Sequence, residues 1–167
     1  YMEKAARQGD TEAQGMQGQF YKDGEGCKQD YGKAFYWYKK SAEKGNAISQ
    51  FNVGLMYRKC WGVKQNDKQA LYWYQQSAAR GERIDRYNLG GLYREGLGVR
   101  KDLAEAFRWY MKAAQAGDID SQAQVGVMYS DGDGVARNLA EALKWTTKAA
   151  EQGDAIAQYN LAMMYYN

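Results

Sequence analysis

The sequence predicts an all-α array of helix–turn–helix repeats, and three observations carry the prediction. Four tryptophans, Trp37, Trp73, Trp109 and Trp145, stand 36 residues apart at each step, and a constant period of this length is the mark of a repeat architecture. Gly9, Gly45, Gly81, Gly117 and Gly153 keep the same step, each closing a segment such as WYKKSAEKG or WYMKAAQAG. Between these markers the apolar residues recur at helical spacing, as in Val53, Met56 and Tyr57. Four full units then cover 10–45, 46–81, 82–117 and 118–153, with partial units at 1–9 and 154–167, so that 1–167 is a single array.

Within a unit the signals run in a fixed order. The first helix follows Asp10, Asn46, Glu82, Asp118 or Asp154, of which Asp and Asn accept from the free N–H groups of a first turn and Glu does so poorly. It ends at a Gly-x-Gly turn, Gly24/Gly26, Gly96/Gly98 and Gly132/Gly134, whose residues take the left-handed conformation at low cost. The second helix starts after Asp30, Asn66, Asp102 or Asn138 and runs through Ala34, Trp37 and Ala42 or their equivalents to the closing glycine. Sixteen of the 19 glycines fall in four positions of the unit. One of these, Gly18, Gly54, Gly90 and Gly126, lies inside the first helix, where Gly costs about 1 kcal/mol relative to Ala. Close approach of the paired helix at Ala34, Ala70, Ala106 and Ala142 is the expected return, with Trp and Tyr columns filling the space around it.

At these residues, LGxxY, GxGV, Asp, AxxWYxKAA and a terminal Gly at constant period, the pattern resembles the Sel-1-like repeat, a relative of the tetratricopeptide repeat, over the whole chain. The resemblance implies a right-handed superhelical solenoid of antiparallel helix pairs that scaffolds protein–protein contacts and has no catalytic machinery. Four departures stand out. Cys60 replaces the first turn glycine, Gln17 stands where Val53, Leu89 and Val125 stand, Thr146 replaces the Tyr after Trp, and Arg86 replaces a Gln present in every other copy.

Positions shared by all copies build the unit, whereas variable outward positions are free to specify a partner. By resemblance to the tetratricopeptide arrangement the first helices line a concave face. The lining positions are then Gly15, Gln19 and Lys22; Phe51, Leu55 and Arg58; Tyr87, Gly91 and Arg94; Ala123, Val127 and Ser130; and Tyr159, Met163 and Tyr166. Each set has the i, i+4, i+7 spacing of one helix face. The candidate partner-binding residues are Phe51, Leu55, Arg58, Tyr87, Arg94 and Tyr159, with Trp61, which occurs once in a turn and reads equally as a surface contact or as a local cap over the next unit. Aromatics beside arginines are the residue types that dominate binding hot spots. Packing against neighbouring first helices is the competing reading for Phe51 and Tyr87, and Tyr57, Tyr93 and Tyr129 are read as core.

Composition narrows the function classes. With no histidine, the chain has no Ser/His or Cys/His pair and no imidazole ligand, so catalytic residues, metal ligands and cofactors are expected to be none. Mean hydropathy is −0.79, and no apolar run approaches the roughly 18 residues of a membrane helix. The net charge of +3 conceals a gradient: 46–81 has five basic residues to one acidic, 82–117 seven to five, 118–153 three to six, and 10–45 six to six. An acidic, partly apolar protein or peptide would be steered to the middle units. Nucleic acid has little support, because the basic residues form no continuous stripe, and no small-molecule substrate is implied. Cys27 and Cys60 lie in adjacent turns, where either an inter-repeat disulfide in an extracytoplasmic protein or two free thiols would fit. Asp131 and Asp133 resemble the start of a calcium loop, but its twelfth position is Ala142.

The expected function is a non-catalytic scaffold that binds a protein: an adaptor, a regulator, a host-interaction protein or a toxin-neutralising immunity protein. Its source is read as bacterial, with periplasmic, secreted and cytoplasmic locations all open. The alternative is the accessory repeat region of a longer enzyme or membrane-anchored signalling protein. Both termini fall mid-repeat and no targeting segment opens the chain, so a fragment of a longer protein is expected.

Overall fold

The computed structural model describes residues 2–79 and 83–166, with side chains described for 3–79 and 86–166. Arg80, the closing Gly81 and the poor cap Glu82 lie outside the described residues. Ten α-helices and no strand are present among the described residues: α1 (Met2–Arg7), α2 (Thr11–Asp23), α3 (Tyr31–Glu43), α4 (Ala47–Lys59), α5 (Asp67–Ala78), α6 (Arg83–Glu95), α7 (Leu103–Gln115), α8 (Ile119–Asp131), α9 (Leu139–Glu151) and α10 (Ala155–Tyr166). They fall into two compact units, residues 1–85 and 86–167.

The helix starts follow the capping chemistry read from the sequence. Asp10 accepts from the Ala13 N–H at 2.7 Å, Asn46 from Ser49 at 2.8 Å, Asp102 from Glu105 at 2.9 Å and Asp118 from Ser121 at 2.8 Å. Each satisfies one of the N–H groups that a first turn leaves without an intrahelical partner. The helix pairs are antiparallel: in the first pair the Asp30 N–H donates to the Tyr21 carbonyl at 2.8 Å, and the Ser41 hydroxyl at the far end donates to the Thr11 carbonyl at 2.8 Å. The link between the Tyr carbonyl and the next cap recurs from Asn66 to Tyr57, Asp102 to Tyr93 and Asn138 to Tyr129.

First helices end on a left-handed residue whose N–H returns to the carbonyl four residues back, Gly24 to Phe20 and Gly132 to Met128. In α4 that residue is Cys60, at φ 56° the single non-glycine with positive φ among the described residues. A side chain there meets the following carbonyl at roughly 1–2 kcal/mol.

The interior glycines answer to a ring more than to alanine, which modifies the sequence expectation. A Cβ on Gly18 would sit 2.7 Å from the Tyr38 ring, and one on Gly90 2.7 Å from the Tyr110 ring. On Gly54 it would lie 2.9 Å from the Tyr74 ring and 3.3 Å from the Ala70 carbonyl. The backbones do approach at the alanines, and the glycine also makes the seat for the tyrosine after each Trp. Tyr38, Tyr74 and Tyr110 are fully buried there; Tyr38 shares a core with Val53 and Met56, and Tyr110 shares one with Val125 and Met128. Burial of a Val or Met side chain contributes about 1.5–3 kcal/mol. Tyr57, Tyr93 and Tyr129, expected in the core, are only partly buried; Tyr57 meets Phe35 edge-on at 5.2 Å and Tyr129 meets Phe107 at 5.1 Å.

Successive pairs are joined by a carboxamide clamp that the sequence shows only as an unexplained column. Gln14, Gln50, Gln122 and Gln158 donate through Nε2 to the carbonyls of Ala6, Ala42, Ala114 and Ala150 at 3.0 to 3.2 Å. Each carbonyl ends the preceding second helix, where four acceptors lack intrahelical donors. The fifth member of the column is Arg86, the first residue of the second compact unit.

Candidate protein-binding face

The candidate face is built by the first helices, because the second helices turn their alanine and tryptophan side inward. In residues 1–85, α2 and the start of α4 enclose a depression of about 350 Å³ lined by Gly15, Met16, Gln19, Tyr38, Ile48 and Ser49, with Glu12 at its edge. In residues 86–167 the equivalent positions of α8 and α10 line a depression of about 160 Å³, where Ala123, Gln124, Val127 and Ile156 are joined by Tyr87 from α6. Its acidic members are Asp120 and Asp154. A second hollow of about 290 Å³ shares Val127 and Asn160 with it and continues along α8 and α10.

The named candidates sit differently. Phe51, Leu55 and Arg58 are half-buried along one face of α4, and the Phe51 ring lies 5.8 Å from that of Tyr74. Tyr87 packs edge-on against Tyr110 at 5.5 Å and lines the smaller depression. Arg94 is held by hydrogen bonds to Gln124 Oε1 at 2.9 Å and Glu95 at 3.5 Å. Tyr159, on α10, is 67% exposed. Of the remaining lining positions, Gly15, Gln19, Ala123, Val127, Ser130 and Met163 do line these hollows.

Trp61 stacks on Tyr31 with centroids 5.3 Å apart and planes 16° apart, and it packs on the core that contains Met56. Its neighbour Gly62 rests directly on the Tyr31 carbonyl, with a Cβ there 2.6 Å from the Gly32 nitrogen. Trp61 therefore caps the start of the preceding pair's second helix, not the following unit. The cysteines are unbridged: the Cys27 thiol lies 3.6 Å from the Phe20 carbonyl and Cys60 is exposed beside Gln65.

Some lining residues escaped the sequence reading. Ile48 and Ile156 are 63% and 69% exposed at the same place in their units, and Met16 is 48% exposed. The signal was an isoleucine two residues after an Asn or Asp cap, outside the buried stripe of its helix. Electrostatically the face is plain. Burial, reinforced by the charge of Asp23, pushes the Tyr38 phenol above its ordinary value of 10.0, and its hydroxyl donates to Gln19 Oε1 at 2.6 Å. Asp30 is held below its usual value chiefly by the Lys33 N–H that it caps. Among the described residues no group of three Cys, Asp or Glu is placed to hold a metal ion, and no helix is long and apolar enough to cross a membrane.

Solved structures share this arrangement. The chain matches c5321, a protective antigen of uropathogenic Escherichia coli displaying an SLR fold, with TM-score 0.96 and 42% identity over 99% of this chain and 35% of that one. A Sel1 repeat protein from Oxalobacter formigenes matches with TM-score 0.90 and 37% identity over 95% of this chain and 65% of its own. Cysteine rich protein B of Helicobacter pylori matches at TM-score 0.62 and 26% identity, over 80% of this chain and 96% of its own. The chain thus spans about a third of the length of the E. coli protein and less than two thirds of that from Oxalobacter. No curated protein matches at a significant level. The Sel1 repeat model matches residues 1–10, 11–46, 47–82, 86–118, 119–154 and 155–167, and with the 36-residue helix pairs, the glycine seats and the glutamine clamps described above, the chain belongs to the Sel1 repeat family.

Proposed function

We propose that this chain is a non-catalytic scaffold that binds a partner protein through its first-helix face, as an adaptor, a regulator, a host-interaction protein or a toxin-neutralising immunity protein. One observation carries the reading: positions shared between copies supply the cores, caps and clamps, while variable positions such as Gly15, Gln19, Ala123 and Val127 line the hollows together with exposed Ile48 and Ile156. A contact surface needs apolar side chains left accessible with polar groups at their rim. Phe51, Leu55 and Arg58 on α4, and Tyr87 and Arg94 on α6, are the proposed contacts for an acidic, partly apolar partner, drawn by the basic excess of units 46–81 and 82–117.

Affinity capture with three immobilised proteins tests this: wild type, Phe51→Ala/Arg58→Ala on the first-helix face, and Tyr36→Ala/Tyr72→Ala on exposed second-helix tyrosines. Partners recovered by wild type and the Tyr36/Tyr72 variant but lost by the Phe51/Arg58 variant support the reading. Equal recovery by all three overturns it.

A further inference from the structure

One hollow has a built-in template for its occupant. In three copies the residue after Trp is a tyrosine, Tyr38, Tyr74 or Tyr110, 0 to 1% exposed and seated on the interior glycine of the paired helix. The Tyr38 hydroxyl reaches Gln19 on the first-helix face at 2.6 Å, and a methionine of the next first helix, Met56 or Met128, closes the same core. In the fourth copy the residue is Thr146. The apolar parts of the seat remain, Gly126 for Gly18 and Met164 for Met56, while Val127 replaces the acceptor Gln19 and the shorter Thr146 side chain rests its hydroxyl against Gly126. The ring is missing, and its place is an open hollow of about 290 Å³ lined by Gly126, Val127, Asp131, Thr146, Met163 and Met164. A water molecule's share of liquid is about 30 Å³, so the space accommodates a phenol ring.

Charge qualifies the occupant. Asp131 lines the hollow, Asp120 and Asp154 line the adjoining depression, and unit 118–153 carries six acidic residues against three basic. Two cations lie near this face: Arg94 is engaged by Gln124 and Glu95, and Arg137 donates through Nε to the carbonyl of Ser130, which lines the hollow.

We propose that the slot vacated at Thr146 receives a tyrosine side chain from a basic segment of a partner protein, the phenol taking the seat that Tyr38, Tyr74 and Tyr110 fill from within. This rests on the first-helix face being a protein-binding surface and names the chemistry it takes at residues 118–167. The partner's ring replaces an intramolecular one, so apolar surface on Met163, Met164 and Val127 leaves water, while lysine or arginine beside the tyrosine meets the acidic rim.

The test follows methionine methyl signals by ¹³C NMR while the chain is titrated with the peptides acetyl-Lys-Tyr-Lys-amide, acetyl-Glu-Tyr-Glu-amide and acetyl-Lys-Ala-Lys-amide. Saturable shifts at Met163 and Met164 are expected with the first. The second should bind at least about threefold more weakly, as two exposed charge pairs allow, and the third should leave the signals unmoved. Thr146→Tyr should abolish the response and raise Tm. Asp131→Asn, which leaves the slot open, should narrow the preference for lysine. No shift with the basic peptide, equal binding of the alanine peptide, or an undiminished response in folded Thr146→Tyr overturns the proposal. So does a concentration-dependent dimer that Thr146→Tyr abolishes, which would give the slot to a second copy. The capture experiment reads the scaffold function separately: peptide binding with partner recovery unaffected by the Phe51/Arg58 variant sinks that function and leaves the slot standing, and the converse sinks only the slot.

Discussion

Two adjacent glycines on α6 should respond oppositely to the same substitution. An added Cβ at Gly90 falls 2.7, 2.8 and 2.9 Å from three atoms of the Tyr110 ring, which is 1% exposed and so has no free space to retreat into. Carbon contacts settle at about 3.5–4.0 Å, so ring or helix must move by nearly 1 Å. Overpacking of this kind costs about 1–3 kcal/mol, against a return of about 1 kcal/mol from replacing Gly by Ala inside a helix. Three simultaneous close contacts put the cost at the upper end, and Gly90→Ala should lose about 1–2 kcal/mol net. At Gly91 the nearest atom to a new Cβ is the Tyr110 hydroxyl at 3.6 Å, an ordinary contact. Gly91→Ala should therefore keep the propensity gain, about 1 kcal/mol or roughly 2–4 °C in Tm for a chain of this size. Thermal melts followed by helical circular dichroism separate the two. In Tyr110→Leu, which removes the ring, Gly90→Ala should cost far less, a coupling that a double-mutant cycle measures. If both glycine variants melt higher than wild type, the seat is not tight and the reason given for this glycine column is wrong.

Cys60→Gly relieves the left-handed residue that ends α4 and should stabilise by about 1 kcal/mol in urea unfolding; a lower midpoint would mean that the thiol contributes packing that outweighs the strain. Gln50→Met keeps the volume and removes the donor to the Ala42 carbonyl, which should cost about 0.5–1.5 kcal/mol and be seen as faster amide exchange at the end of α3. Trp61→Ala gives up the stack on Tyr31, worth about 0.5–1.5 kcal/mol beyond its area, and should loosen the start of α3 without melting α7 to α9. Tyr38 has a folded-state value raised above its unfolded 10.0, so its contribution is full below that pH and is lost as pH rises through the folded value. Tyr38→Phe should accordingly show a smaller fall in Tm than wild type between about pH 9 and about pH 11; identical alkaline slopes would contradict this.

The helix pairs were legible because their information is local. A cap at Asp10 or Asn46 needs only an oxygen three residues from an N–H, and a turn at Gly24 needs only a residue that tolerates positive φ. Reading the glycine column as a Gly–Ala contact missed its main partner for the opposite reason: Gly18 and Tyr38 are 20 residues apart, and which atom meets which depends on how closely two helices approach. Gln50 looked like a recurrent polar residue without a purpose, and its carboxamide on the Ala42 carbonyl supplies one. Trp61 could face either way from sequence, and the stack on Tyr31 is fixed by the position of the preceding pair.

Period, helix boundaries, caps and family were thus determined by sequence alone, since each rests on spacing within a turn or two of helix. The seating of tyrosines on glycines, the joining of pairs by glutamine clamps, and the hollow beside Thr146 were decided only in the tertiary structure. From sequence the Tyr to Thr change was one departure among four. In the folded chain it is a missing ring, because packing at crystal-like density leaves no neighbour able to flow into the space that a side chain gives up.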